Sequence, residues 1–287
     1  MDETPQLPPD PEAPAVTEVQ EVVNGAAEFP PPFIDPIPPP PPLPSAGAFT
    51  RDAILDLLAA LGCFVLVVLA YAIVAAVSQF GFASQGRGML DFLQSAWGIV
   101  ALLLSIQFPL LYFALRRRRR NREKQRPLLP FFDGPWGSAA RKGISAGLGL
   151  TVLSMLYTGL LQRLLGSESV PKQLDFLQNI LNNRPAVAAL VLIIAVLGPI
   201  CEEIFFRGVV FGSAHASGRT TAGAVISAIL FALVHVSPLL IPFYATFALV
   251  MCWLYAKTKT LVAPMAAHMT MNSIACLALL LAGGDQV

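Results

Sequence analysis

Two adjacent glutamates and an arginine, Glu202, Glu203 and Arg207, interrupt an otherwise apolar run between Pro185 and Gly212. His235 closes the next apolar run, and His268 and Asn272 lie inside the last one. Ionisable groups are costly in such surroundings and mark functional candidates by default. Glu203 and Arg207 are four apart, so they share a helical face and can pair. Glu202 points about 100° away around the helix and is left free for another task. His268 and Asn272 again share a face, as do Phe231 and His235. Carboxylates beside imidazoles can move protons to and from a water molecule. Two histidines and a glutamate (His235, His268 and Glu203) also make an acceptable set for zinc or another divalent metal. HExxH is absent, however, and Arg207 competes for Glu203. No GxSxG turn supports a serine nucleophile. The remaining histidine, His215, sits beside Ser213 and Ser217 near the end of its apolar run and reads as interfacial. Polar residues of these kinds also act as simple contacts between membrane helices. That reading suffices for any one of them alone, less so for two glutamates, an arginine and two histidines on three helices.

The elements that carry these residues must be transmembrane helices. Of the 287 residues, 55% are hydrophobic and 13% charged, about half the charged fraction of a soluble domain. Apolar stretches recur at about Ala53–Ser78, Leu93–Leu115, Gly143–Leu165, Pro185–Gly212, Thr221–Val236, Leu239–Ala256 and Leu261–Ala282. Most are near the roughly 20 residues a helix needs to cross a bilayer, and lipid leaves backbone groups no water to bond. The predicted fold is all-α: a polytopic bundle of about seven helices around an intramembrane site. Gly143 and Gly147, and Gly208 and Gly212, have the spacing that lets helices approach closely. Gly198-Pro199 is a candidate helix break, which a transporter would use near the midplane. The cysteines Cys63, Cys201, Cys252 and Cys276 lie in apolar runs without CxxC spacing and read as small packing residues.

Residues 1–48 are acidic and proline-rich, with PIPPPPPLP at Pro36–Pro44. This composition predicts a disordered tail of polyproline II character, with docking to a partner as its alternative use. Residues 49–287 form the predicted membrane domain, with N-terminal helices in 53–165 and the chemistry in 185–283. The run from Arg116 to Arg126 follows the second span. It should stay cytoplasmic by the positive-inside rule, with contact to anionic membrane lipids as a secondary role. Counting outward places the N-terminus, Arg219, Lys257 and Lys259 on the cytoplasmic side, and Glu168, Asp175 and Asp285 outside. The expected location is a multi-pass position in the plasma membrane. Nothing supplies the base-reading or stacking surface that nucleic acid binding requires.

The three polar segments resemble a known family. Glu202-Glu203-Ile-Phe-Phe-Arg207 looks like the EExxxR motif of the CPBP intramembrane proteases, a group that includes the type II CAAX prenyl endopeptidases and bacterial abortive-infection proteins. Phe231-Ala-Leu-Val-His235 is similar to the FxxxH motif of that group, and His268-Met-Thr-Met-Asn272 to its HxxxN motif. Order and separation match as well, over about Pro185–Leu281. One departure is visible: Phe247–Tyr255 has no glycine where the family often has a glycine-rich helix. The resemblance implies an endopeptidase acting on a peptide or membrane-protein substrate, prenylated in one branch. Glu202 is then the general base, His235 helps to hold the water, Glu203 with Arg207 orients the site, and His268 and Asn272 are oxyanion donors. A non-catalytic scaffold or immunity factor of the same fold is the alternative.

Overall fold

The computed structural model describes residues 96–124, 129–166, 184–235 and 237–284, with isolated positions between 51 and 70. All regular structure among them is helical. In chain order the helices are α1 (Ala96–Glu123), α2 (Trp136–Leu165), α3 (Pro185–Ala216), α4 (Thr220–Val234), α5 (Ile241–Thr258) and α6 (Val262–Gly284). Five of them, all but α4, are long and apolar enough to cross a membrane. The chain is therefore an integral membrane protein. The expected count of seven is not reached among the described residues. The first predicted span falls mostly outside them. At 15 residues, α4 rises only about 23 Å, short of the roughly 30 Å hydrocarbon core. The proline-rich tail, Cys63 and the loop with Glu168 and Asp175 also lie outside or largely outside the described residues.

The surface is that of a protein solvated by lipid. On α2, Ile144, Leu148, Val152, Leu156 and Leu160 are all exposed, a continuous apolar face that water would not tolerate. The core forms instead around α3, where Phe205, Phe206 and Phe211 pack with Phe231 of α4 and Phe247 of α5.

α1 departs from the expected boundary, continuing through the arginine run to Glu123. Arginine is a good helix former, so the helix outlasts the apolar stretch. Its basic end is anchored. Arg118 donates to the Leu129 carbonyl at 3.0 Å and lies over the Phe131 ring, and Asn121 donates to Ser213 Oγ on α3 at 3.3 Å.

The helix that bears His268 and Asn272 is seated by glycines. A Cβ on Gly143 would overlap the Ala263 carbonyl, and one on Gly147 would lie 2.5 Å from the Ala267 oxygen. α2 and α6 therefore meet backbone to backbone, as the glycine spacing predicts. Gly147→Val should cost on the order of 1–3 kcal/mol or more through overpacking and displace His268, next to Ala267. Gly149→Ala, where a Cβ meets nothing within 4 Å, should leave detergent melting unchanged. Equal melting temperatures for the two variants would refute this packing.

Candidate active site

α3 carries both glutamates and is not a uniform α-helix. It is π-helical over Ile193–Leu197 and again over Glu203–Phe211, with one α-helical stretch, Gly198–Glu202, between. The candidate break at Gly198-Pro199 is not a break, and the helix runs through it. The Gly198 N–H bonds back five residues to the Ile193 carbonyl. In that register the Ile194 carbonyl would need the N–H of Pro199, which has none. Asn272 of α6 supplies the missing donor, Nδ2 to the Ile194 oxygen at 2.9 Å. In the second π stretch Ser227 of α4 donates to the Phe206 carbonyl at 3.1 Å. A single π turn like the first stretch is a feature that recurs at functional sites.

The two glutamates occupy different environments. Glu203 is fully buried and its Oε1 accepts from Arg207 Nη1 at 3.1 Å and from His268 Nδ1 at 2.9 Å. Arg207, also fully buried, stands 4.4 Å above the Phe231 ring centroid, where the ring face stabilises the cation. The Glu202 side chain keeps 20% exposure and faces a groove of about 480 Å³. His235, His268 and Asn272 line the same groove, among apolar walls from Phe243, Phe247 and Leu279. The structure thus brings together all six residues singled out from the sequence, with Glu203 and Arg207 behind the other four. His215 is not part of the cluster: it pairs with Thr220 and stacks on Phe211.

Hydrogen-bond chemistry fixes the histidine tautomers. A carbonyl oxygen only accepts, so His235 Nδ1 carries the proton it gives to the Phe231 carbonyl at 2.7 Å, leaving Nε2 as an acceptor. Tyr244 stacks on this ring, centroids 4.1 Å apart, and holds its plane. His268 Nδ1 likewise donates to Glu203, and its Nε2 is 4.0 Å from Glu202 Oε2. His268 can therefore donate from Nε2 only as imidazolium. Asn272 keeps one amide N–H after its bond to Ile194, in every protonation state of the site.

This arrangement does not fit the metal set considered from the sequence. Glu203 and His268 bond each other, and Glu203 Oε1 is further engaged by Arg207. With His268 Nδ1 bonded to Glu203, the other ring nitrogen points away from that carboxylate, so this bond would have to break for Glu203, His235 and His268 to converge on one ion. Among the described residues no group of three His, Cys, Asp or Glu side chains is placed to hold a metal. Cys201, Cys252 and Cys276 are free and buried, in keeping with a packing role.

One polar residue behind Glu202 is absent from the sequence reading. Gln107 of α1 is 9% exposed, and its Nε2 lies 3.5 Å from Glu202 Oε1. A lone glutamine in an apolar run looks like any interhelical contact, and only the packing of α1 on α3 reveals its neighbour.

Residues 184–274 match the family model described as "Type II CAAX prenyl endopeptidase Rce1-like", a range that contains all three motifs. The chain is also similar to "Putative membrane peptidase YdiL" of Bacillus subtilis (strain 168), with 32% identity over 96 residues, 33% of this chain and 39% of that protein. Well under two thirds of that relative's length is thus covered. No solved structure matches the chain. Both matches fall on the region that carries the three motifs, and they support the resemblance to the CPBP group there.

Proposed function

We propose that this chain, a CPBP-group relative through residues 184–274, is an intramembrane endopeptidase whose nucleophile is a water activated by Glu202 and His235. The observation that carries this reading is the division of labour between the adjacent glutamates. Glu203 is locked by Arg207 and His268, whereas Glu202 alone presents a carboxylate to the groove.

The chemistry runs through this chain's own groups. A water placed between them gives one hydrogen to Glu202 and directs the other at His235 Nε2. Glu202 takes the proton as the water oxygen bonds to the scissile carbonyl carbon, and the carbonyl electron pair moves onto its oxygen. The free amide N–H of Asn272 stabilises that oxyanion, joined by His268 Nε2 when the ring is cationic. When the pair returns and the C–N bond breaks, Glu202 passes the proton to the leaving amine.

The apolar walls suit a substrate that arrives from the bilayer. A prenylated C-terminal peptide, the substrate class named in the family description, belongs in the test panel beside unmodified membrane peptides. Profiling these with purified wild type and Glu202→Gln tests the reading: products from wild type alone support it, and identical products from both refute it.

The proposed orientation keeps the basic end of α1 and the N-terminus cytoplasmic in a plasma membrane. Asn121 is buried against Ser213 and would resist labelling from either side, whereas Glu123 is exposed. Without Cys63, a cysteine at position 168 should react with an impermeant thiol reagent on intact cells, and one at 123 only after permeabilisation. The reverse pattern would invert the topology.

A further inference from the structure

A hydrolase buried among apolar helices has a supply problem: a peptide lying in the groove covers the face of Glu202 through which water would otherwise arrive. The structure has a second, smaller cavity of about 90 Å³ that reaches Glu202 and His235 from the α1 residues Ile106, Gln107 and Leu110. Ile106, Leu110, Phe206 and Val234 form its apolar wall, and Gln107, Glu202 and His235 its polar one. Glu202 and His235 thus line both cavities, the small one and the 480 Å³ groove.

Gln107 marks the small compartment as a place for water. It comes from α1, outside the matched region 184–274. Its amide N–H leans toward Glu202 Oε1 at 3.5 Å, the outer limit of a hydrogen bond. Its Oε1 is buried and has no protein partner. That oxygen can only accept, and burying an acceptor unpaired costs about 1–3 kcal/mol. A water needs two to four polar partners and takes up about 30 Å³ in the liquid. The cavity has the volume for as many as about three, with the Gln107 amide, a Glu202 oxygen and the His235 ring nitrogen as partners.

We propose that this cavity stores the hydrolytic water behind the substrate groove, and that Gln107 is the positioning residue that holds it against Glu202 and His235. Water delivered from behind reaches the scissile carbonyl while the peptide fills the front. Gln107 touches no substrate; it acts through the water. This inference rests on the peptidase reading for its purpose but not for its detection.

The test reads water and turnover separately. Brief X-ray radiolysis of the detergent-solubilised full chain in ¹⁸O-labelled water oxidises side chains next to bound water, and mass spectrometry locates the label. Wild type should be labelled at Phe206 and Val234 despite the burial of Phe206 (1% exposed). Gln107→Leu, similar in size but without the amide, should lose that label. Its kcat should fall by about tenfold or more while KM for the same peptide stays within about twofold, as expected when nucleophile placement and not binding is lost. Gln107→Asn, which restores a shorter amide, should recover part of both signals. A wild type without label at these residues overturns the proposal, as does a label or kcat that Gln107→Leu leaves unchanged. Loss of kcat together with melting temperature, unrecovered by Gln107→Asn, would reduce Gln107 to a packing role and overturn it too. A labelled wild type that cleaves no peptide would count against the peptidase reading and leave the water site standing.

Discussion

Glu202→Gln should lower peptide cleavage by on the order of 10²-fold or more while leaving the melting temperature in detergent close to wild type. The substitution keeps shape and hydrogen-bonding reach but removes the carboxylate that accepts a proton. The fold should absorb it because Glu202 is the partly exposed member of the pair. Gln107 Nε2 at 3.5 Å and His268 Nε2 at 4.0 Å are at or beyond the limit of a hydrogen bond to it. Little native bonding is lost. KM should change little, since the groove walls that grip the peptide are untouched. Cleavage at the wild-type rate by Glu202→Gln would remove the general base from the scheme. A scaffold that does no chemistry would show no difference between the two proteins in any functional assay.

Arg207→Ala should fail in the opposite way, through stability first. It leaves Glu203, fully buried, with His268 as its one remaining charged-capable partner. Breaking a buried pair by removing one member costs about 3–5 kcal/mol, and the vacated volume beneath Phe231 adds to the loss. Cleavage should disappear along with the folded fraction. Pairing Arg207→Met with Glu203→Gln removes both charges and refills the space. This double variant should regain most of the melting temperature, because the expense lies in stranding a charge and not in lacking one. It should remain a poor peptidase, since a neutral amide in place of the Glu203 carboxylate no longer holds the His268 ring by a charged bond. Thermal unfolding and cleavage measured side by side decide the case. A stable Arg207→Ala would mean that the pair carries no structural load, and a fully active double variant would mean that it carries no positional one.

Much of this site was legible because charge in an apolar helix is so costly that its presence is informative. Glu202, Glu203, Arg207, His235, His268 and Asn272 stand out for that reason, and their spacing correctly pairs Glu203 with Arg207. Gln107 escaped because an uncharged amide costs too little to be conspicuous. Residue type alone left Glu203, His235 and His268 open as a metal set, and it could not tell how Glu203 and His268 would meet. In the structure they meet as a donor and an acceptor bonded to each other. Hydropathy located the apolar length of α1 yet missed its end, since the bilayer boundary and the helix boundary obey different rules. Composition marks the first, and the helix propensity of the arginine run decides the second. Gly198-Pro199 looked like a break because the carbonyl left without a donor is visible in sequence and its rescuer, Asn272, comes from 78 residues away.

The two π stretches on α3 make the length of this helix as consequential as its composition. A residue turns an α-helix by about 100° and a π-helix, with its wider i→i+5 turn, by somewhat less, so a single deletion between Ile194 and Leu197 would change the phase of one side against the other. The Asn272 contact at Ile194 and the Arg207 face lie on opposite sides of that point, and both cannot stay engaged unless the residue count is kept. Substitutions along this helix can be judged one side chain at a time, but insertions and deletions cannot. In genetic terms, the segment from Ile193 to Phe211 should accept new letters far more readily than a changed word length.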